Sequence, residues 1–376
     1  MIVCILAGAL VGLLPVLRST AGLLLVSILS AVGIYRFAFI GYVLVNLSAY
    51  IFITGLAWLS MRSAFVQRNR WRASCAAMLA LLLVFLAGRY YQLETRGVAV
   101  KGLNLFFFSL NMWAFLRLIT LLWEFGSGRI ERPSLRSFMI WVGLPFTLIG
   151  PILRYSQFEK QLPLISTQAD EPARYRQSLR RFLVGFVQLS VGMLLTGFQF
   201  ALVESGNGLP RWEKLVIGFS VAPWSFYLLW AGYFNFMESL APFWGITLPP
   251  SFNRPFGRRN LSEFWANWNM TATSVFRDYF FYNRWGLQKA NLYVNTLMVF
   301  LMVGLWHGLN GYWILFGLMH GIGFCAYLWY SRNRSRLTLW RQNLIDSQFR
   351  YTGPIATYLY VCSCWFLPPT ILKLIR

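Results

Sequence analysis

Acidic residues and histidines are scarce in this chain, which narrows the chemistry it can carry. It has 12 Asp and Glu against 34 Lys and Arg, and two histidines in 376 residues. Because most acidic residues fall in polar stretches, a carboxylate pair for acid–base catalysis is not expected. The five cysteines lack the paired spacing of metal ligands, so we predict no disulfide and no metal site. Phosphate-binding loops and the Gly-x-Ser-x-Gly motif are also missing.

Long uncharged runs, by contrast, are abundant. The chain is 57% hydrophobic and 12% charged, and several runs approach the roughly 20 residues that cross a bilayer. They predict an all-α, polytopic helical bundle of about ten to eleven membrane-embedded segments, some of them broken or re-entrant. We expect one domain over residues 1–376, with its signature core at 248–330, in the inner or plasma membrane. Residues 1–17 are expected to form a first membrane segment.

The net charge of +22 has a membrane explanation. The basic residues cluster in short stretches between apolar runs, which favours cytoplasmic loops and anionic lipid over nucleic acid. We predict that two loops, residues 61–73 and 331–350, lie in the cytoplasm. The second of them would be a basic connector before a last span at 355–373.

Two segments have unusual features for a membrane span. Residues 141–154 contain two prolines and two glycines, so they are too broken for one regular helix, and we predict a re-entrant or broken helix. Arg117 lies inside the predicted span 102–123. It either snorkels or pairs with a backbone carbonyl, or it lines a polar cavity.

A capping pattern opens the central part of the core. Asn260 followed by Glu263 predicts a helix start, and apolar residues continue at helical spacing to position 279. Its aromatic content suits a helix at the membrane interface. Asn269 lies beside the apolar stripe, either on a polar face or pointing into the protein. Asp278 has Arg277 beside it, so an ion pair is the structural alternative to a catalytic role.

Both histidines lie in the same pattern, Gly-Leu-x-His-Gly, at residues 304–308 and 317–321. A neutral imidazole can accept a proton from a hydroxyl near neutral pH. A titratable group inside a membrane segment is a functional hypothesis by default. The alternative is a helix-packing site, since glycines four residues apart let another helix approach closely. Spacing alone does not rank His307 above His320.

Several motifs together resemble the membrane-bound O-acyltransferase (MBOAT) family. They are residues 249–256, Glu263-Phe-Trp-x-x-Trp, Phe276-Arg-Asp-Tyr279 and Gly304-Leu-Trp-His-Gly308, with residues 150–155 and Gly232-Tyr233 upstream. The resemblance is strongest to the bacterial branch that includes the alginate O-acetyltransferase membrane subunit and the D-alanyl transfer protein DltB. It covers most of the chain.

The resemblance implies roles for particular residues. His307 would be the general base that acts on an acceptor hydroxyl, and Asn269 would hold the second active-site position, which is His or Asn in the family. Further candidates for substrate binding or tunnel lining are His320, Trp306, Arg277, Asp278, Trp265 and Arg154.

The resemblance also implies a fold and a reaction. A helical bundle would surround an acyl-transfer tunnel, with no permanently bound cofactor. The donor would be an acyl thioester, either acyl-CoA or an acyl carrier protein, arriving from the cytoplasm. The acceptor would be a hydroxyl of a cell-envelope polysaccharide or of an exported partner protein that relays the acyl group. A periplasmic or extracellular acyltransferase is a further candidate partner. Membrane lipid is the other expected partner, and nucleic acid is not.

Two alternatives stay open. One is D-alanyl transfer from a carrier protein to teichoic-type polymers, and the other is a non-catalytic transporter or scaffold. Leu229 and Asn235 stand where the branch commonly has acidic residues, which slightly favours a scaffold. His307 and Asn269 are present, which favours an enzyme.

Overall fold

Helices dominate the structure. The computed structural model describes residues 19–35, 39–94, 110–144, 147–165, 172–201, 210–281, 291–336 and 338–375. Within these ranges there is no β-strand, only an isolated bridge between Leu148 and Gly150.

The helices follow one another along the whole described chain. In order they are α1 (Thr20–Tyr35), α2 (Phe39–Arg62), α3 (Ala64–Glu94), α4 (Met112–Gly126), α5 (Leu135–Gly143), α6 (Tyr155–Gln161), α7 (Pro172–Gln199), α8 (Arg211–Leu240), α9 (Leu261–Trp265), α10 (Met270–Val275), α11 (Leu292–His307), α12 (Gly311–Asn333) and α13 (Leu339–Ile375). A π-helical turn, Phe276–Phe281, continues α10.

Length and composition identify the membrane spans. In the described part, four helices are long and apolar enough to cross a bilayer: Phe39–Arg62, Ala64–Tyr90, Tyr175–Gln199 and Gly311–Arg336. Two shorter apolar helices are Thr20–Gly33 and Leu292–His307. The all-α membrane class is therefore confirmed. The number of segments stays a prediction, because residues 2–17 and residues 102–109 of the predicted span 102–123 lie outside the described ranges.

The chain divides into two compact units. The first comprises Met1–Phe182 and Phe236–Pro249, and the second comprises Leu183–Asn235 and Pro250–Arg376. The prediction of one domain over residues 1–376 stays a prediction. Asn269 and both histidines belong to the second unit.

The core of the first unit forms around α4. All of residues 113–125 are buried, as expected for a helix that is surrounded by others. Phe115 of α4 stacks on Phe85 of α3 with ring centroids 4.3 Å apart. Arg117, also in α4, donates from Nη1 to the Val142 carbonyl at 2.8 Å. Of the two interpretations of Arg117, the structure supports pairing with a backbone carbonyl.

The predicted broken segment is confirmed as irregular. Helix α5 ends at Gly143, and residues 147–154 are not helical; Pro145 and Phe146 lie outside the described ranges. The Val142 carbonyl, near the end of this helix, also accepts from the Tyr42 hydroxyl at 2.5 Å. The Leu153 carbonyl accepts from Trp141 Nε1 at 2.8 Å. Side-chain donors of the protein thus bond these two carbonyls on either side of the interruption.

Both predicted cytoplasmic loops are helical, which corrects that part of the sequence analysis. Between Arg62 and Ala64 only Ser63 interrupts the helices, so most of residues 61–73 belong to α3. Residues 331–333 end α12, and α13 begins at Leu339 and continues through the predicted span. Arg, Gln and Leu are good helix formers, so helices extend into basic stretches. The cytoplasmic location of these residues stays a prediction.

Glycines allow α11 and α12 of the second unit to pack closely. A Cβ atom on Gly304 would lie 2.2 Å from the Trp313 carbonyl oxygen, and one on Gly317 would lie 2.5 Å from the Phe300 carbonyl oxygen. Both distances are below any real contact. These glycines therefore do pack the two helices together. Near His307 the backbones of α11 and α12 are too close for a side chain between them.

We expect Gly304→Ala to destabilise the protein, because α11 and α12 must separate to admit the methyl group. Forcing an extra methyl into a packed interface typically costs about 1–3 kcal/mol. Gly55 is the matched control, because a Cβ there would meet nothing within 4 Å. Thermal denaturation of the detergent-purified variants measures the effect, and equal midpoints for Gly304→Ala and Gly55→Ala would contradict it.

Candidate active site

The helix predicted from residue 261 to 279 begins as expected but is interrupted. Asn260 caps α9, since its Oδ1 accepts from the Glu263 N–H at 2.9 Å. The Glu263 carboxylate accepts in return from the Arg259 N–H at 3.2 Å, one residue before the usual position in a capping box. Helix α9 ends at Trp265, and α10 begins at Met270. The prediction of one continuous helix was therefore wrong between residues 266 and 269.

Asn269 lies at this interruption, in a backbone conformation that few residue types adopt. Its φ of 40° and ψ of 53° are left-handed, a region in which asparagine is enriched among non-glycine residues. The side chain does not cap α10. Its Oδ1 is buried and accepts no hydrogen bond from any described residue. Strained backbone and unsatisfied polar atoms both concentrate at functional sites.

Two backbone hydrogen bonds fix the turn that carries Asn269. The Met270 N–H donates to the Ser251 carbonyl at 2.7 Å, and the Asn253 N–H donates to the Asn267 carbonyl at 3.1 Å. The stretch 251–253 therefore pairs with the stretch 267–270 on both sides of Asn269. Because both bonds are between backbone atoms, the turn depends on the path of the preceding loop.

An aromatic cluster anchors the residue before Asn269. Trp268 is 8% exposed, and its ring lies 5.2 Å from Phe252, 5.4 Å from Phe264 and 5.3 Å from Trp365. Such aromatic pairs stabilise the fold by more than the burial of their apolar surface alone would. Burial of Trp268 on one side and the Met270 bond on the other leave Asn269 little freedom.

His307 is the last residue of α11 and is partly exposed. Its ring stacks on Trp313 with centroids 4.5 Å apart and planes inclined by 17°. The ring centroid of the preceding residue, Trp306, lies 4.6 Å from that of His307, and the centroid of Phe316 lies 5.9 Å from it. The stacking fixes the imidazole plane, while partial exposure leaves room for a substrate to reach it.

His320 is more deeply placed, in the middle of α12. It is 1% exposed, and its Nδ1 has no hydrogen-bond partner among the described residues. Its ring lies 4.6 Å from Phe316 and 4.9 Å from Trp265. His320 is therefore the less accessible of the two imidazoles, and the roles of both histidines stay predictions.

The structure thus brings several of the predicted residues into one aromatic group. Phe316 contacts both histidines, His320 contacts Trp265, and Trp265 precedes Asn269 by four residues. No hydrogen bond joins Asn269 Oδ1 to either histidine, because that atom has no partner. Trp313 and Phe316 were not predicted from the sequence. Their positions, six and nine residues after His307 across a short turn, were the available signal.

The other candidates have structural contacts. Arg277 Nε and Asp278 Oδ1 form an ion pair at 2.8 Å, as the structural alternative predicted. Trp306 is buried, and its ring lies 5.6 Å from Phe276. Arg154 belongs to the first unit, where it is the N-cap residue of α6.

The two positions without acidic residues help to pack α7 against α8. Asn235 donates from Nδ2 to Gln188 Oε1 at 2.8 Å. The Leu229 backbone N–H lies 2.9 Å from where a Cβ on Gly192 would be. Neutral side chains at these positions are therefore accommodated by neutral neighbours within the second unit.

The site geometry and the membrane helices define an α-helical membrane protein with a histidine and an asparagine in an aromatic setting. The chain belongs to the membrane-bound O-acyltransferase family, since the model of that family matches residues 89–364. This range includes Asn269, His307 and His320.

Three curated bacterial relatives show the range of similarity. A teichoic acid D-alanyltransferase of Streptococcus thermophilus is 26% identical over 55% of this chain and 53% of its own length. A peptidoglycan O-acetyltransferase of Helicobacter pylori is 25% identical over 50% of this chain and 36% of its own length. A probable alginate O-acetylase AlgI of Pseudomonas putida is 26% identical over 47% and 36%. The alignments therefore span about half the length of the first relative and less of the other two.

Proposed function

We propose that this protein is an O-acyltransferase of the inner or plasma membrane. It would move an acetyl or other short acyl group from a cytoplasmic thioester to a hydroxyl of a cell-envelope polysaccharide, or to a partner protein that relays it. The observation that carries the proposal is the family match over residues 89–364, which contains His307 and Asn269. The names of the relatives, which act on teichoic acid, peptidoglycan and alginate, support the acceptor class.

In this reaction, neutral His307 takes the proton of the acceptor hydroxyl. The oxygen attacks the thioester carbonyl carbon, and the carbon–sulfur bond breaks as the ester forms. The thiol leaves with the proton that the imidazole returns. Asn269 stabilises the histidine, the acceptor or the developing oxyanion by hydrogen bonding. Its buried Oδ1, which has no partner among the described residues, would accept from the imidazole N–H or the acceptor hydroxyl, while its Nδ2 would donate to the oxyanion.

The donor is an acyl thioester, either acyl-CoA or an acyl carrier protein, and no cofactor is bound permanently. The candidate lining residues, His320, Trp265 and Trp306, each pack against other aromatic rings and would exclude water from the thioester. Excluding water protects the reactive carbonyl from hydrolysis.

D-alanyl transfer is the second candidate, supported by the teichoic acid D-alanyltransferase relatives. A non-catalytic scaffold is the third, supported by the neutral residues Leu229 and Asn235.

Acyl transfer by the purified protein tests the proposal. The protein in detergent receives radiolabelled acetyl-CoA, or radiolabelled D-alanyl carrier protein in a parallel reaction, with envelope polysaccharide, membrane lipid and an extract of envelope proteins present. We expect label in the polymer, or on a partner protein, from one of the two donors. Label in neither reaction, with a folded protein, would contradict the enzyme and favour the scaffold.

A further inference from the structure

One arginine side chain holds together the turn that carries Asn269. We propose that Arg258 is a positioning residue for the proposed acyl transfer, acting through the backbone around Asn269 without touching substrate. The inference rests on the proposed function for its activity readout and on the structure alone for its conformational readout.

The Arg258 guanidinium joins the two stretches of this turn. Its Nη2 donates to the Asn253 carbonyl at 2.6 Å and to Asn267 Oδ1 at 3.0 Å. Its Nε donates to the Arg254 carbonyl at 3.0 Å. One side chain therefore bridges the loop at 253–254 and the turn at 267, two residues before Asn269. A charged donor strengthens each of these bonds.

The Asn267 side chain is itself held from the other side. Its Nδ2 donates to the carbonyl of Glu263, in α9, at 2.7 Å. Its backbone carbonyl accepts from the Asn253 N–H. Its backbone N–H also donates to the Phe264 carbonyl at 3.0 Å, so Asn267 is fixed by four bonds to four neighbours, of which the Arg258 bond is one.

The three hydrogen bonds that Arg258 donates to Asn253, Arg254 and Asn267 form a clamp. This clamp lies between the two residues of this region with strained backbone. Arg254 and Asn269 are the non-glycine residues with positive φ in the described chain, at 47° and 40°. Arg258 donates to the Arg254 carbonyl and to the side-chain amide oxygen of Asn267, which is two residues before Asn269. Left-handed backbone persists only where surrounding contacts impose it. The position of these contacts indicates that Arg258 supplies part of that constraint.

The adjacent arginine provides a matched control. Arg259 has the same charge and is exposed, and in the described chain its side chain makes no hydrogen bond or ion pair. Arg259→Leu therefore removes the same charge without removing the clamp. Arg258→Lys tests geometry, because an ammonium group cannot reproduce the planar fork that reaches three acceptors.

Hydrogen exchange measured by mass spectrometry on the full-length protein in detergent gives the conformational test. In Arg258→Leu we expect faster exchange at the amides of Asn253 and Met270, with no change in α11. Arg259→Leu should match the unsubstituted protein, and Arg258→Lys should be intermediate. Unchanged exchange at residues 251–254 and 267–271 in Arg258→Leu would overturn the proposal, whatever the activity.

A double-substitution cycle gives the functional test. Misplacing a reacting group by about 1 Å can cost ~10²-fold in rate, so we expect Arg258→Leu to lower kcat by about that factor and to change KM little. In an Asn269→Gly background the same substitution should cost almost nothing more, since its effect passes through Asn269. If the kcat loss of the double variant equalled the product of the two single losses, the two residues would act independently and the proposal would be overturned. A wild-type protein that transfers no acyl group would refute the proposed function and leave the exchange result to decide whether Arg258 holds the turn.

Discussion

Replacing His307 with alanine is expected to abolish detectable acyl transfer while the protein still inserts and purifies. Removal of a general base typically costs about 10²–10⁴ in rate, and the other described histidine, His320, is buried. His307→Gln gives a sharper comparison, because it can still hydrogen-bond but is not a base. We expect it to be as inactive as His307→Ala.

The controls separate base catalysis from packing. His307 stacks on Trp313, so its loss also removes an aromatic contact, and thermal midpoints must be measured alongside the rates. His320→Ala should be less impaired, since His320 is buried between Phe316 and Trp265. Rates are compared at equal membrane abundance. Near-normal transfer by His307→Gln would mean that the imidazole is not the base.

Local chemistry made some features predictable. The start of α9 followed from the hydrogen-bonding capacity of Asn260 and Glu263, which lie three residues apart and need no other part of the protein. The irregular stretch after Gly143 followed from proline and glycine content. Membrane class followed from composition. In each case the determining residues are close together in the sequence.

The interruption at Asn269 could not be predicted in this way. Apolar residues continue at helical spacing past this point, so the local pattern favours a helix. The break comes from contacts with a loop about 16 residues earlier, where Ser251 and Asn253 pair with Met270 and Asn267. Such pairing depends on tertiary structure, which overrides a weak local preference.

The setting of His307 was also only partly predictable. The glycines at 304 and 317 indicated close packing in the sequence, and the structure shows that they bring the α11 and α12 backbones together. The stacking of Trp313 on His307 depends on the turn between the helices, where Asn310 caps α12. A cap and a short loop are visible in the sequence, but the ring orientation is not.

Asn269 is expected to be the second most sensitive position, and its two roles can be separated. Asn269→Ala removes the carboxamide and also puts alanine at φ 40°, a left-handed conformation that alanine adopts less readily than asparagine does. Asn269→Gly removes the same carboxamide, but glycine adopts left-handed backbone readily. We expect the glycine variant to keep the stability of the unsubstituted protein and the alanine variant to lose stability by about 1 kcal/mol.

Both variants should lose about 10²–10³ in kcat, the usual cost of removing one oxyanion-hole donor. Acyl transfer at saturating donor, with thermal midpoints measured in parallel, distinguishes the possibilities. A glycine variant with near-normal transfer would mean that only the backbone conformation matters, and that the amide takes no part in the reaction. An inactive glycine variant of full stability assigns the loss to the amide itself, because the turn that Ser251 and Asn253 hold is then intact.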